Sequence, residues 1–191
     1  SLDEQTIVLV KELKSTDDNA TINKIAELIK NTINADAFAP AKIGVGSEVQ
    51  TVREIATSFR EAKIAIEVGK VFENEKDIIN YENLGIGRLI YQLPVSLCES
   101  FLQEVFLDKI PDKLDDETLL TINRFLQNNL NIAETSRQLH MHRNTLIYRL
   151  EQIEKRTGLD LRQFEDAMTF KIATMVMNYL HAEKEKNCTE V

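Results

Sequence analysis

Between Asn131 and Gly158 the chain spells out two helices with almost nothing between them. Asn131 stands where a side-chain cap belongs, with Glu134 three residues on, an asparagine version of the capping box. The helix it opens runs from Ile132 to Leu139, only about two turns. His140-Met141-His142 is the turn, and a further helix spans Arg143 to Arg156 until Gly158 stops it. In that helix Leu146, Leu150 and Ile153 recur at i, i+4 and i+7, so they face one core together. Opposite them lie Asn144, Tyr148, Glu151 and Lys155, flanked by Arg143, Thr145, Ile147 and Arg149. A short helix joined to a longer one by a tight turn is the helix-turn-helix pattern. A preceding helix, Asp116 to Gln127, turns Leu119, Leu120, Ile122, Phe125 and Leu126 inward, and Asn128-Asn129 ends it.

The net charge of −8 argues against a generally basic nucleic-acid protein, but the distribution is uneven. From Asn131 to Gln163 six basic residues face four acidic ones, and from Leu139 to Leu150 there are two arginines, two histidines and no acid. The outward N-terminal turn of the second helix offers Arg143, Asn144, Thr145 and Tyr148. These side chains can bond base edges and phosphates, and a helix fits the major groove. The alternative is a helical hairpin whose polar face is merely solvated, serving as a protein-interaction or dimerisation module. His140 stands where many such turns carry glycine, so it needs either a left-handed conformation or a different turn.

Upstream the pattern changes. Thr6 to Val10 is a β-branched apolar run that reads as a buried strand. Asp17 or Asp18 then caps a helix whose face is Ile22, Ile25, Ala26, Leu28 and Ile29. Lys42 to Gly46 reads as a second strand. Ser47 to Thr51 opens a long helix through Lys70, with Val52, Ile55, Ala56, Phe59, Ala62, Ile66 and Val68 apolar. Ile78 to Tyr81 is a third strand candidate. Gly85-Ile86-Gly87 reads as a turn into a helix, since no further glycine or lysine-serine pair makes it a phosphate loop. Helical segments Gly87 to Leu93 and Leu97 to Leu107 stop at Pro94 and before Pro111. The best boundary is Pro111 to Asp116, and everything beyond it is helical. The fold class expected is therefore α+β, with a small sheet in the N-terminal part and an all-α domain after it.

Little else looks like chemistry. Cys98 and Cys188 carry no metal-like spacing and fit a reducing cytoplasm better than a disulfide scaffold. The apolar run Met168 to Leu180 is broken by Lys171 and Asn178 and is too short to span a bilayer. His140 and His142 supply two nitrogens, and His181 is some forty residues away, so no metal is expected. No nucleophile elbow or paired catalytic motif appears, and Asp17-Asp18 and Asp115-Asp116 stand at helix starts, where they offset the dipole. No cofactor is expected. The last helix, Leu161 to Ala182, is apolar nearly all round after Ala167. It forms core, or part of it buries against a second copy.

The string Leu139-His140-Met141-His142-Arg143-Asn144-Thr145-Leu146, with Tyr148-Arg149-Leu150, resembles the signature of the C-terminal helix-turn-helix of the bacterial sugar-diacid and purine-catabolism (PucR-type) regulators. The likeness continues into Thr157-Gly158-Leu159-Asp160-Leu161 and reaches back to Leu114, about a third of the chain. It departs at Ser136, where the family usually has alanine, so the hydroxyl needs a partner, for which the Ile132 carbonyl is the candidate. The N-terminal part resembles the degenerate, GGDEF-like cyclase domain of the same family, with Ile43-Gly44-Val45-Gly46 and Arg60-Glu61-Ala62-Lys63 in its order. No two glycines are adjacent, and only Leu2-Asp3-Glu4-Gln5 stands where the acidic cyclase signature would lie, so no enzyme activity is expected.

The resemblance implies a partial GGDEF-like domain at 1–93, a helical connector at 94–113, a DNA-binding domain at 114–183 and a tail at 184–191. It implies a cytoplasmic transcription regulator, an activator of carbohydrate-diacid or related catabolic genes. The partners would be double-stranded DNA and a second copy in a homodimer, with the small-molecule effector bound outside this chain. Arg143, Asn144, Thr145 and Tyr148 would meet bases or nearby phosphates. Arg149, Arg137 and His142 would hold the backbone, His142 as a protonated imidazole at the helix N-cap.

Overall fold

In a computed structural model the chain is described at residues 6–14, 18–37, 40–73, 76–106 and 115–189. It separates into two compact units, Ser1–Tyr91 and Gln92–Val191. The first holds the sheet and the second is helical, so the chain is α+β.

The first unit runs α1 (Asn19–Ala37), β1 (Ile43–Val45), α2 (Ile55–Phe72), β2 (Ile78–Asn80) and the one-turn α3 (Gly87–Ile90). β1 and β2 pair in parallel, Ile43 opposite Ile78 and Val45 opposite Asn80. Parallel neighbours need a crossover, and α2 supplies it. It packs on β1 at a distance only glycine allows. A Cβ on Gly44 would stand 2.0 Å from the Ala62 carbonyl oxygen, and one on Gly46 2.0 Å from that of Ser58. Ala65, Val68, Ile79 and Leu84 form the buried centre, with Ile64, Phe72, Tyr81 and Tyr91 packed around it. Asp18 caps α1, accepting the Thr21 hydroxyl at 2.7 Å and its N–H at 2.8 Å, and these bonds hold its carboxyl below the usual range.

Several expectations change here. Residues 6–14 carry no regular structure, and Ile7, Leu9 and Val10 are exposed, so the run at Thr6–Val10 is not a buried strand. A β-branched run becomes a strand only by pairing, and the sheet has two strands, β1 and β2, among the described residues. Leu28, Val52 and Ala56 point outward. Val52 lies in a 3-10 turn ahead of α2, and the helix seats itself by Ala65, Val68 and Gly69 instead. The Gly85-Ile86-Gly87 stretch is the expected turn into a helix, with Gly85 at φ 53°. Asp17 and Leu2-Asp3-Glu4-Gln5 fall outside the described residues.

The second unit contains α4 (Val95–Phe106), α5 (Asp116–Gln127), α6 (Ile132–Gln138), α7 (Arg143–Thr157) and α8 (Phe164–Thr189). α4 starts directly after Pro94, whose carbonyl accepts from the Leu97 and Cys98 N–H groups. It packs against α8, burying Cys98, Leu102 and Phe106, and the Phe106 and Phe170 rings meet edge to face at 6.3 Å. α8 is less uniformly buried than its composition suggests. Ala167, Phe170, Ala173, Val176, Tyr179 and Leu180 form one buried stripe, while Met168 is exposed and Ile172, Met175 and Met177 are half-buried. The helix runs on past Ala182 to Thr189. Pro111 to Leu114, most of the expected boundary, lies outside the described residues.

α5 opens on Asp115, whose carboxylate accepts the Thr118 N–H and hydroxyl, each at 2.8 Å. Ile122 and Phe125 turn inward as expected, but Leu120 is half exposed and Thr121 is buried in its stead. The buried stripe follows Thr121 and Phe125, four apart, and Leu120 falls just beyond its edge.

Candidate nucleic-acid interface

The turn from α5 to α6 is made by Asn129 and Leu130, both at positive φ, and Asn131 then caps α6 by accepting the Glu134 N–H at 3.0 Å. Only half of the expected capping box forms. The Glu134 carboxylate bonds Arg137 at 2.7 and 2.9 Å and Gln138 at 2.8 Å, and these partners hold it below the usual range. Asn128 ties the two helices together, donating to the Thr135 hydroxyl and to the Gln138 side chain at 3.2 Å each. Ser136 is buried, and its hydroxyl donates to the Ala133 carbonyl at 3.0 Å, not to that of Ile132. In a helix of two turns the nearer carbonyl, three residues back, is in reach.

Neither histidine of the turn stands in a metal cluster: no three His, Cys, Asp or Glu side chains among the described residues are grouped to hold an ion. Both serve the backbone. His140 sits at φ 51°, the left-handed region that Asn, Asp and His tolerate better than other side chains, and so replaces the usual glycine. The Met141 N–H then bonds the Ser136 carbonyl at 3.0 Å and closes the end of α6. His142 is extended and caps α7, its Nδ1 accepting the Asn144 N–H at 3.2 Å. An accepting Nδ1 carries no proton, which leaves Nε2 as the donor nitrogen. A protonated imidazole, expected at this cap, would set a second donor against the Asn144 N–H.

In α7 the expected inward seam is fully formed, with Leu146, Leu150 and Ile153 at 0, 1 and 3% exposure. Gly158 ends the helix at φ 82°. Arg143, Asn144, Thr145 and Tyr148 are all exposed and share the first turn and a half of α7, beside the His142 cap. Arg137 stands exposed on α6, in an ion pair with Glu134. Arg149 is placed differently: it turns toward α5, donating to the Glu117 carboxylate and to the Thr121 hydroxyl at 3.3 Å.

Much of the local basic excess is neutralised at home. Arg162 meets Asp160 at 2.6 Å and Glu154 at 2.8 Å, and Arg156 stands 3.8 Å from Asp115. Arg143 and Lys155 have no ion pair among the described residues. The bonds that Thr121, Thr135, Asn128, Gln138 and Glu117 make between helices were not legible in the sequence. Each of these residues is polar, and polar periodicity does not say which neighbour a side chain will meet. No helix among the described residues is long and apolar enough to cross a membrane.

Residues 118–176 match the PucR C-terminal helix-turn-helix domain, and residues 1–68 match the GGDEF-like domain. The purine catabolism regulatory protein of Bacillus subtilis (strain 168) is 26% identical over 87% of this chain and 32% of its own length. The proline-responsive transcriptional activator PutR of the same organism is 31% identical over 72% of this chain and 34% of its own length. The carbohydrate diacid regulator of Escherichia coli (strain K12) is 31% identical over 69% and 34%. The chain thus spans about a third of the length of these relatives. Both domain types are matched in one chain, the GGDEF-like domain and the PucR-type helix-turn-helix, and the helix-turn-helix geometry is formed at 131–158.

Proposed function

We propose that this chain is the DNA-binding part of a cytoplasmic transcription regulator, an activator of carbohydrate-diacid or related catabolic genes. Its small-molecule effector binds elsewhere in the full protein. The observation that carries the reading is the division of α7 into two faces. Leu146, Leu150 and Ile153 are buried, while Arg143, Asn144, Thr145 and Tyr148 stand free at the end of the helix that enters a major groove. Asn144 and Arg143 read base edges, Thr145 and Tyr148 meet bases or adjacent phosphates, and Arg137 and His142 hold the backbone. His142 does so through Nε2–H, since its Nδ1 is taken by the Asn144 N–H. Arg149 reaches a duplex only by leaving Glu117. Two copies bind together, with recognition helices about 34 Å apart, one turn of duplex.

The relatives are named as regulators, which speaks for a binding protein over an enzyme. The second reading, a helical protein-interaction module, is favoured by the net charge of −8 and by the internal pairing of Arg137, Arg149 and Arg162. Anisotropy titration against a random-sequence duplex at low salt separates the two, because non-specific binding comes mainly from phosphate contacts. A flat titration rejects the DNA reading.

A further inference from the structure

We infer that Arg149 is a positioning residue: it sets the rotation of α7 on α5 and so aims the base-reading side chains, without touching DNA itself. The inference rests on the DNA-binding reading above. At about 100° per residue, Arg149 lies roughly 140° around α7 from Asn144 and only about 40° from the buried Ile153. Its guanidinium donates to the Glu117 carboxylate and to the Thr121 hydroxyl at 3.3 Å. Thr121 is 1% exposed, and its hydroxyl donates to the Glu117 carbonyl at 2.8 Å. One arginine therefore grips two successive turns of α5. One helical repeat on, Arg156 stands 3.8 Å from Asp115 on the same side of α7. Between the two arginines is a cavity of about 70 Å³, lined by Thr118, Thr121, Arg149, Gln152, Ile153 and Arg156. That space holds a few waters and no nucleotide.

The apolar seam of Leu146, Leu150 and Ile153 keeps α7 against the core, but apolar contact is non-directional. Charge-assisted bonds from a planar fork are directional, and they define the angle. The angle matters at the groove. With side chains at a radius of about 5 Å, a rotation of roughly 20° carries Asn144 and Tyr148 some ~2 Å, enough to break a hydrogen bond. An exposed ion pair of this kind contributes little to stability, so its effect is on aim.

The test titrates the full chain and the variants Arg149→Gln, Glu117→Gln and the double variant, each through a salt series. Two probes are used: a random-sequence duplex and a duplex selected from a randomised pool by the wild-type chain. Each single variant should weaken the selected duplex about tenfold or more, the equivalent of one lost base contact. The double variant should be no worse than either single, since both break one interaction. The salt slope should stay unchanged on both duplexes. Arg149→Lys, which reaches Glu117 but lacks the fork, should recover part of the loss. A slope reduced by about one in Arg149→Gln, with tighter binding in Glu117→Gln, would make Arg149 a phosphate contact and overturn the inference. Wild-type affinity for the selected duplex in both single variants would overturn it too. Glu117 is exposed, so Glu117→Gln carries the test even if Arg149→Gln fails to fold. Failure of the wild-type chain to bind the random duplex would instead reject DNA binding, and this inference with it.

Discussion

The Nδ1 of His142 accepts the backbone N–H of Asn144 at 3.2 Å, so the side chain that opens α7 is bonded to one of the residues proposed to read a base. A cap of this kind satisfies one of the donors every helix leaves open at its start. Here it also selects the ring tautomer and leaves Nε2–H at the positive end of the helix.

His142→Ala should therefore destabilise the second unit by about 1 kcal/mol, the usual loss on removing a cap, while His142→Asn should restore it. The asparagine amide N–H sits on a shorter side chain and does not reach where Nε2–H stands, so duplex affinity should remain below wild type in both variants. Nitrogen-15 correlation spectra of the free chain near neutral pH should show the proton on Nε2. A proton found on Nδ1 would exclude the cap.

Arg137→Ala should weaken binding to all duplexes alike and lower the salt slope by about one, the signature of a single phosphate contact. Arg137 is exposed on α6 and paired with Glu134 alone, so it can exchange that carboxylate for a phosphate. An unaltered slope would place it outside the interface.

Acid should weaken the fold through its helix starts and bends. The Thr118 N–H and hydroxyl hold the Asp115 carboxyl below its usual range, and the Arg162 guanidinium does the same for Asp160. A carboxyl depressed in the folded state contributes stability that is complete above its unfolded value, near 4. That stability is lost as pH falls through the lower folded value. The urea midpoint should drop between pH 5 and pH 3, and Asp160→Asn should lessen the dependence. A midpoint constant over that window would contradict the assignment.

Leu146→Ala should cost about 2–5 kcal/mol, because the side chain is wholly buried and its neighbours cannot close the space. Leu120→Ser, at a position half exposed on α5, should change stability by less than about 0.5 kcal/mol. Chemical denaturation of the two variants tests the contrast. Equal losses would mean that the inward face of α5 has been misplaced.

Two glycines should fail for different reasons. Gly158→Ala forces a side chain into the left-handed region at φ 82° with open space around it, and should cost about 1–2 kcal/mol. Gly44→Ala drives a Cβ to 2.0 Å from the Ala62 carbonyl oxygen, so α2 must lift from β1. That overpacking should cost about 3 kcal/mol or more, visible as early loss of the first unit in a thermal melt.

What could be read from the residues alone was whatever depends on neighbours within a turn or two. Asn131, Asp115, Asp18 and Gly158 mark helix ends because a cap is a bond between residues three or four apart. Leu146, Leu150 and Ile153 mark an inward face because the helical period is intrinsic to the backbone. These local rules were enough for the helix-turn-helix, its turn and the exposed face with Arg143, Asn144, Thr145 and Tyr148. Pairing across the chain was decided by tertiary structure. Only there does the apolar run at Thr6–Val10 prove not to be a buried strand, since a strand exists by virtue of its partner. Only there does Arg149, no different in sequence from its cationic neighbours, turn to Glu117 and Thr121, some thirty positions earlier. A long side chain chooses among acceptors by distance in space, and no spacing along the chain records that distance.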